Sequence, residues 1–193
     1  MDAATTLFLR KGYLGTSMDE IAALAGVSKQ TVYTHFADKE QLFTHLVLAI
    51  SERSDVFIDE MNRVLQVADN LEQDLARIAR RYIATVNQPQ VRQLRRLVIG
   101  EAFRFPEVAR AYYERVPERV LTMLASRLQA LAEQGVLRVD DPRLAAEHFA
   151  SLILWRPLDK AMFIDDDGDF SPAELERYAD AGVRVFMAAY GKA

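Results

Sequence analysis

The chain contains no cysteine, so disulfides are excluded and nothing in it argues for an oxidising compartment. No stretch approaches eighteen consecutive apolar residues, which excludes a membrane-spanning helix by length. The opening MDAATTLFLRKG is no signal peptide: it has an acid at Asp2, no basic leading segment and too short an apolar run. A soluble cytoplasmic protein is the expectation. The three histidines, His35, His45 and His148, show no metal-ligand spacing, and none accompanies a nucleophile in a recognisable motif. Asp165, Asp167, Gly168 and Glu174 fit four positions of a calcium loop, yet its first position falls on Phe163, which cannot ligate. A phosphate-cradling glycine loop is also lacking, so neither metal, cofactor nor enzyme is expected. Basic excess is missing too: the formal net charge is −4.

What is present is a set of helix signals, densest between Thr16 and Phe43. Ser17 followed by Glu20 is a capping box, in which each side chain covers an orphan N–H of the first turn, and it predicts a helix over Met18 to Ala25. Gly26 stops that helix, and Ser28 caps a second one from Lys29. Val27 is placed to plug the turn and to pack back on Val32 as a staple. Two helices joined by so short a glycine-containing turn cross steeply, which is a helix-turn-helix. Ile21, Ala22, Leu24 and Ala25 supply the buried stripe of the first helix, and Val32 and Phe36 that of the second. Pointing outward on the second are Lys29, Gln30, Thr31, Tyr33, Thr34 and His35: donors, neutral groups and one phenol ring, with no acid among them. That is the face a polyanion requires. Gln30 and Thr31 are best placed for base edges, whereas Lys29 reads guanine or sits on phosphate. Asp38 and Gln41 cap a third helix.

Bulk charge gives no such support, since residues 1 to 48 carry four basic and five acidic side chains. The acids Asp19, Glu20, Asp38 and Glu40 sit at helix N-termini, where they serve caps and dipoles.

The run GYLGTSMDEIAALAGVSKQTVYTHFADKEQLF, with FLRKG ahead of it, resembles the N-terminal domain of the tetracycline-repressor (TetR) family of transcriptional regulators, over about Asp2 to Leu48. From Pro89 to Phe163 the segments LRRLVIGEAFRFPEVARAYYERVPERV and DPRLAAEHFASLI are similar to the AefR-like C-terminal subgroup. This resemblance implies that Tyr33, His35 and Lys39 contact the DNA backbone, and that Thr16 and Ser17 hold a phosphate at the N-terminus of the preceding helix, where free N–H groups and the dipole favour an anion. It implies a basic arm ahead of the first helix, and the chain as given begins almost inside that helix. It further implies a homodimeric regulator, most simply a repressor, on a pseudo-palindromic operator in double-stranded DNA. A small molecule entering the C-terminal helical core would shift the connecting helix and release the operator. Tyr82, Phe103, Met123, Phe149, Trp155 and Arg156 are the candidate lining residues, although aromatic and Met positions at helical spacing are more often plain core. Arg156 pairs an anionic ligand or snorkels to solvent.

The remaining signals are helical throughout. The first helix should run from Asp2 to about Arg10, with Ala4, Leu7 and Phe8 turned toward the helix-turn-helix. Helices are predicted from Lys39, Asn70, Pro89, Pro106 and Asp141-Pro142, and a last one from the Ser171 capping box to Tyr190. Pro117 falls inside the helical run from Glu107 to Glu133 and predicts a kink or break. The expected fold is all-α, with nine or ten helices. A three-helix DNA-binding domain spans 1–48, and a larger ligand-sensing and dimerisation domain spans 49–193. Two apolar faces on the last helix, around Val185 and Phe186 and around Val183 and Met187, together with Phe149, Leu152, Ile153 and Leu158, predict a dimer through the last two helices. Two other readings compete: a helix-turn-helix that pairs with protein instead of DNA, and a small-molecule hydrolase or carrier, for which no catalytic group stands out.

Overall fold

The computed structural model of the chain describes residues 1–51, 54–65, 70–164 and 170–192. It is helical: α1 Asp2–Lys11, α2 Met18–Ala25, α3 Lys29–His35, α4 Lys39–Ser51, α5 Ser54–Val64, α6 Leu71–Val86, α7 Pro89–Glu101, α8 Pro106–Tyr113, α9 Arg119–Glu133, α10 Pro142–Phe163 and α11 Pro172–Tyr190. Among the described residues there is no strand; one isolated bridge joins Leu137 to Gly191. None of the helices is long and apolar enough to cross a membrane. Whether the helix from Lys39 continues past Ser51 turns on residues 52 and 53, and the acidic loop with Asp165, Asp167 and Gly168 on residues 165–169; both lie outside the described residues.

The start signals act as read. Asn70 accepts from the Gln73 N–H at 3.2 Å, Asp141 from the Leu144 N–H at 3.0 Å, and Ser171 with Glu174 closes a capping box. Pro89, Pro106, Pro142 and Pro172 each open a helix, where the missing N–H costs nothing. Pro117 does what a ring in mid-helix must. Residues Glu114–Glu118 form a π-helical turn between α8 and α9, the wider winding that accommodates a residue unable to donate its hydrogen bond.

Two compact units result, one of Met1–Arg53 with Gln93–Val116, the other of Ser54–Arg92 with Pro117–Ala193. The first is built on interlocked rings: Phe43 lies edge-on to Phe8 at 5.4 Å and to Tyr13 at 5.2 Å, and Phe105 meets Tyr13 at 4.7 Å. Ala4, Leu7 and Phe8 of α1 are buried here, with Ile21, Val32, Leu42 and Leu46. Leu24 and Val27, expected inside, stand 56% and 42% exposed, and Ala25 is exposed as well. Met18, Ile21 and Ala22 already fill the inner face of a helix only eight residues long, so the turn caps itself through backbone bonds instead of an apolar plug.

The second unit packs α6, α9, α10 and α11 around Leu75, Ile78, Leu124, Leu128, Phe149 and Phe186. Gly182 lets α11 approach α10: a Cβ there would stand 3.1 Å from both the Ile153 side chain and the Leu152 carbonyl oxygen. Arg80 forks onto Asp180 with bonds of 2.7 and 2.9 Å, tying α6 to α11. Ala179, Gly182, Val183 and Phe186 are buried within the chain itself, so most of both apolar faces of α11 is used internally. What stays exposed and apolar is a different set, Leu144, Leu152 and Trp155 on α10 and Val185 on α11.

Candidate nucleic-acid interface

In the helix-turn-helix the Ser17 hydroxyl accepts from the Glu20 N–H at 3.2 Å, and the Glu20 carboxylate accepts from the Ser17 N–H at 3.1 Å. Gly26 takes the left-handed conformation, φ 68° and ψ 27°, and its N–H returns to the last turn of α2. A side chain at that φ is disfavoured, which is why glycine ends this helix. One residue later Ser28 caps α3 through the Thr31 N–H at 3.1 Å. Only Val32 of α3 is buried. Lys29, Gln30, Thr31, Tyr33, Thr34 and His35 are all exposed, as the alternation of the sequence predicted.

Exposure does not make them equivalent. Gln30, at the second position of α3, has an amide with donors and an acceptor for a base edge. Thr31 shares a hydrogen bond of 2.8 Å with the Ser28 hydroxyl, and Thr34 turns its hydroxyl onto the Gln30 carbonyl at 2.8 Å, leaving their methyl groups as the freer contact. Tyr33 is 42% exposed, with the Lys29 ammonium 5.8 Å from its ring centre. That ammonium lies 2.7 Å from one Asp19 carboxylate oxygen and 3.0 Å from the other, and the carboxylate raises the Lys29 pKa. His35 stands at the end of α3 beside an open groove that also holds Asp38, Glu40 and His45. The two carboxylates make that groove a poor seat for phosphate.

Thr16 and Lys39 point elsewhere. Thr16 is 2% exposed, and its hydroxyl donates to the Gly12 carbonyl at 2.8 Å. The Lys39 ammonium donates to the carbonyls of Thr16 at 2.8 Å and Tyr13 at 3.0 Å and sits 4.3 Å above the Tyr13 ring. Both side chains therefore brace the loop before α2. Ser17 remains exposed at the helix start, with Glu20 as its capping partner. Glu20 in turn accepts from Lys11, and that bond, with the cap, holds its carboxyl below the usual range. Asp19, Tyr13 and Lys11 were not among the expected site residues. Their signal was present only as opposite charges and a ring brought together from 9 to 26 residues apart.

The six candidate effector-site residues do not form one cluster. Tyr82 and Phe149 are buried in the second core and Met123 packs against it, with Tyr82 stacked on Phe57 at 5.1 Å. Phe103 belongs to the other unit and is fully exposed, because Phe105 takes the inward place after Leu94 and Val98. Trp155 is 69% exposed, and Arg156 is exposed beside it. The buried stripe of α10 runs through Phe149, Ile153, Pro157 and Ala161, which puts position 155 on the opposite side. Among the described residues no group of His, Cys, Asp and Glu is arranged to hold a metal ion.

Comparison with known proteins adds to this geometry. Residues 1–46 match the model of bacterial regulatory proteins of the tetR family, and residues 73–192 match the AefR-like transcriptional repressor C-terminal domain. The HTH-type transcriptional regulator YhgD of Bacillus subtilis is 27% identical over 181 residues, covering 93% of this chain and 88% of YhgD. A chain from Mesorhizobium loti, described as of the TetR family, is similar in structure with a TM-score of 0.92 at 44% identity, over 99% of this chain and 94% of that one. The flavonoid-responsive regulator FrrA aligns with a TM-score of 0.71 at 34% identity, over 98% of this chain and 94% of its own.

Proposed function

From the premise that the chain belongs to the TetR family of bacterial transcriptional regulators, we propose that it is a repressor that binds a pseudo-palindromic operator as a homodimer and leaves it when a small molecule binds. One observation carries the reading: α3 turns every polar side chain outward and offers no acid, while Val32 holds it to the core. Residues 1–48 serve as the reading module and residues 49–193 as the sensing and pairing region. Gln30 and Thr31 read bases. Tyr33, Lys29 and the exposed start of α2 at Ser17 meet the backbone, where free N–H groups and the helix dipole favour phosphate. Thr34 and His35 border that contact.

Leu144, Leu152, Trp155 and Val185 form the apolar strip through which α10 and α11 meet their counterparts, and two half-sites on a duplex require two such readers. The effector is received in the core around Tyr82, Met123 and Phe149. That FrrA is flavonoid-responsive makes planar aromatic molecules the first class to test. A difference of about 1 to 3 kcal/mol in effector affinity between the two conformations changes occupancy of DNA about 5- to 150-fold. The test is a gel shift at stated salt with the DNA upstream of the chain's own gene, with and without flavonoids. A retarded band lost on adding the ligand is expected; no band on any duplex sinks the reading.

A further inference from the structure

The acids at the start of α2 do more than cap it. Glu20 draws in Lys11 from α1, and Asp19, its neighbour, takes Lys29 from α3 across the turn. With Lys39 committed to two carbonyls, three of the four cations in residues 1–48 already have an internal acceptor before any duplex arrives. These arrangements differ in access. Lys39 is half-buried, whereas Lys29 and Asp19 keep 58% and 64% of their side-chain surface exposed, so an incoming phosphate can reach the ammonium.

Resting on the DNA-binding reading above, we propose that Asp19 limits affinity for every duplex: its carboxylate occupies Lys29 as phosphate would, and any duplex must displace it. The two carboxylate oxygens, 2.7 and 3.0 Å from one ammonium, fill the place that two phosphate oxygens would take. Once displaced, Asp19 is an unpaired anion at the edge of a polyanion. That repulsion is the same on every sequence. Asp19 therefore weakens arbitrary and matched duplex by the same factor, and only a site where Gln30, Thr31 and Lys29 gain base contacts is left tightly bound. Opposed signs within one small face thereby keep arbitrary duplex weakly held.

The experiment uses the full chain, a 30-base-pair duplex of random sequence, and a duplex that the protein enriches from a random pool, titrated by fluorescence anisotropy from 50 to 200 mM salt. Asp19→Asn keeps the size and leaves the Ser17–Glu20 cap in place, and thermal melting checks that it folds. The expected result is at least about five-fold tighter binding to random duplex and a similar gain on the enriched one. The slope of log affinity on log salt should steepen by about one, because no freed carboxylate takes up a cation as the duplex binds. In a Lys29→Met background the same change should have a smaller effect, because only the repulsion is left to remove. Equal tightening with and without Lys29 would show Asp19 acting as bulk charge, and unchanged or weaker binding would reduce it to a helix-end acid; either overturns the proposal while leaving the DNA reading intact. Failure of the unaltered protein to bind any duplex would remove both.

Discussion

The two compact units are made of the same kind of helix and turn opposite surfaces to the world. The first, with ten basic and nine acidic residues, is close to neutral at +1, packs on aromatic rings and leaves a polar helix, α3, outside. The second, with fourteen basic and nineteen acidic residues, carries −5, packs mainly on aliphatic side chains and leaves apolar ones, Leu152, Trp155 and Val185, outside. Burial follows the same rule in both. Both also leave large apolar side chains outside, Leu24, Ile99 and Phe103 in the first. What distinguishes them is α3, polar and free of acid, which we read as facing a polyanion, as we read the strip on α10 and α11 as facing its own kind.

The largest expected effect separates the units. Phe43→Ala removes the ring that three others meet, and should cost about 3–5 kcal/mol. Calorimetry should then resolve an early transition for the first unit and an unshifted one for the second; a single lowered transition would mean that the two melt as one. Next is Trp155→Glu, which puts a charge in the apolar strip. Sedimentation at micromolar concentration should show monomer where the parent is dimer, a weakening of about thirty-fold or more, while the melting of the first unit stays in place.

A smaller loss sharpens the contrast inside the first unit. Lys39→Met removes an ammonium from two carbonyls and should lower stability by about 1.5–3 kcal/mol with the salt slope of DNA binding unchanged. A slope reduced by about one would mean that Lys39 had been holding phosphate after all. Gln30→Ala and Tyr33→Ala then divide reading from gripping. The first should relax sequence preference by about 1–3 kcal/mol, and the second should weaken specific and nonspecific duplex alike; equal losses on every sequence for both would erase the division. The least effect should come from acid. Glu20 in one unit and Glu174 in the other are each held below the usual glutamate range, Glu20 by Lys11 and its cap, Glu174 by its cap with Ser171. Each therefore stabilises fully above that range and loses its contribution as pH falls through the lowered value. Melting curves from pH 6 down to pH 3 should show both units losing stability, less so in Glu20→Gln or Glu174→Gln respectively.

How much of this was legible follows from the range of each interaction. Caps, prolines and Gly26 act over three or four residues, so α2 begins and ends, and α3, α10 and α11 begin, where those signals put them. The outward set on α3 was legible for the same reason, since a helix with one buried residue has little freedom of orientation. Longer-range features were not. Nothing local to Lys39 shows that its ammonium returns to Tyr13 and Thr16, and nothing local to Thr16 shows that its hydroxyl is buried. Leu24 and Val27 look like core by type, but the inner face they would join is already full. Phe103 and Trp155 are large rings in the sequence, but Phe103 lies in the turn after α7 and helical phase turns Trp155 outward. That misplacement is informative in Trp155, because a large exposed ring on a long helix asks for a covering surface.

Gly182 connects the inside of the second unit to that outer strip. With no methyl at this position, the backbones of α10 and α11 lie in near contact, and the Leu152 carbonyl occupies the space an alanine would claim. Leu152 and Val185 are carried on those same two backbones and face out. Exchanging one hydrogen for a methyl would put a carbon 3.1 Å from the Leu152 carbonyl oxygen and ask the two helices to give by a few tenths of an ångström, shifting the proposed pairing strip from beneath without changing any atom of it.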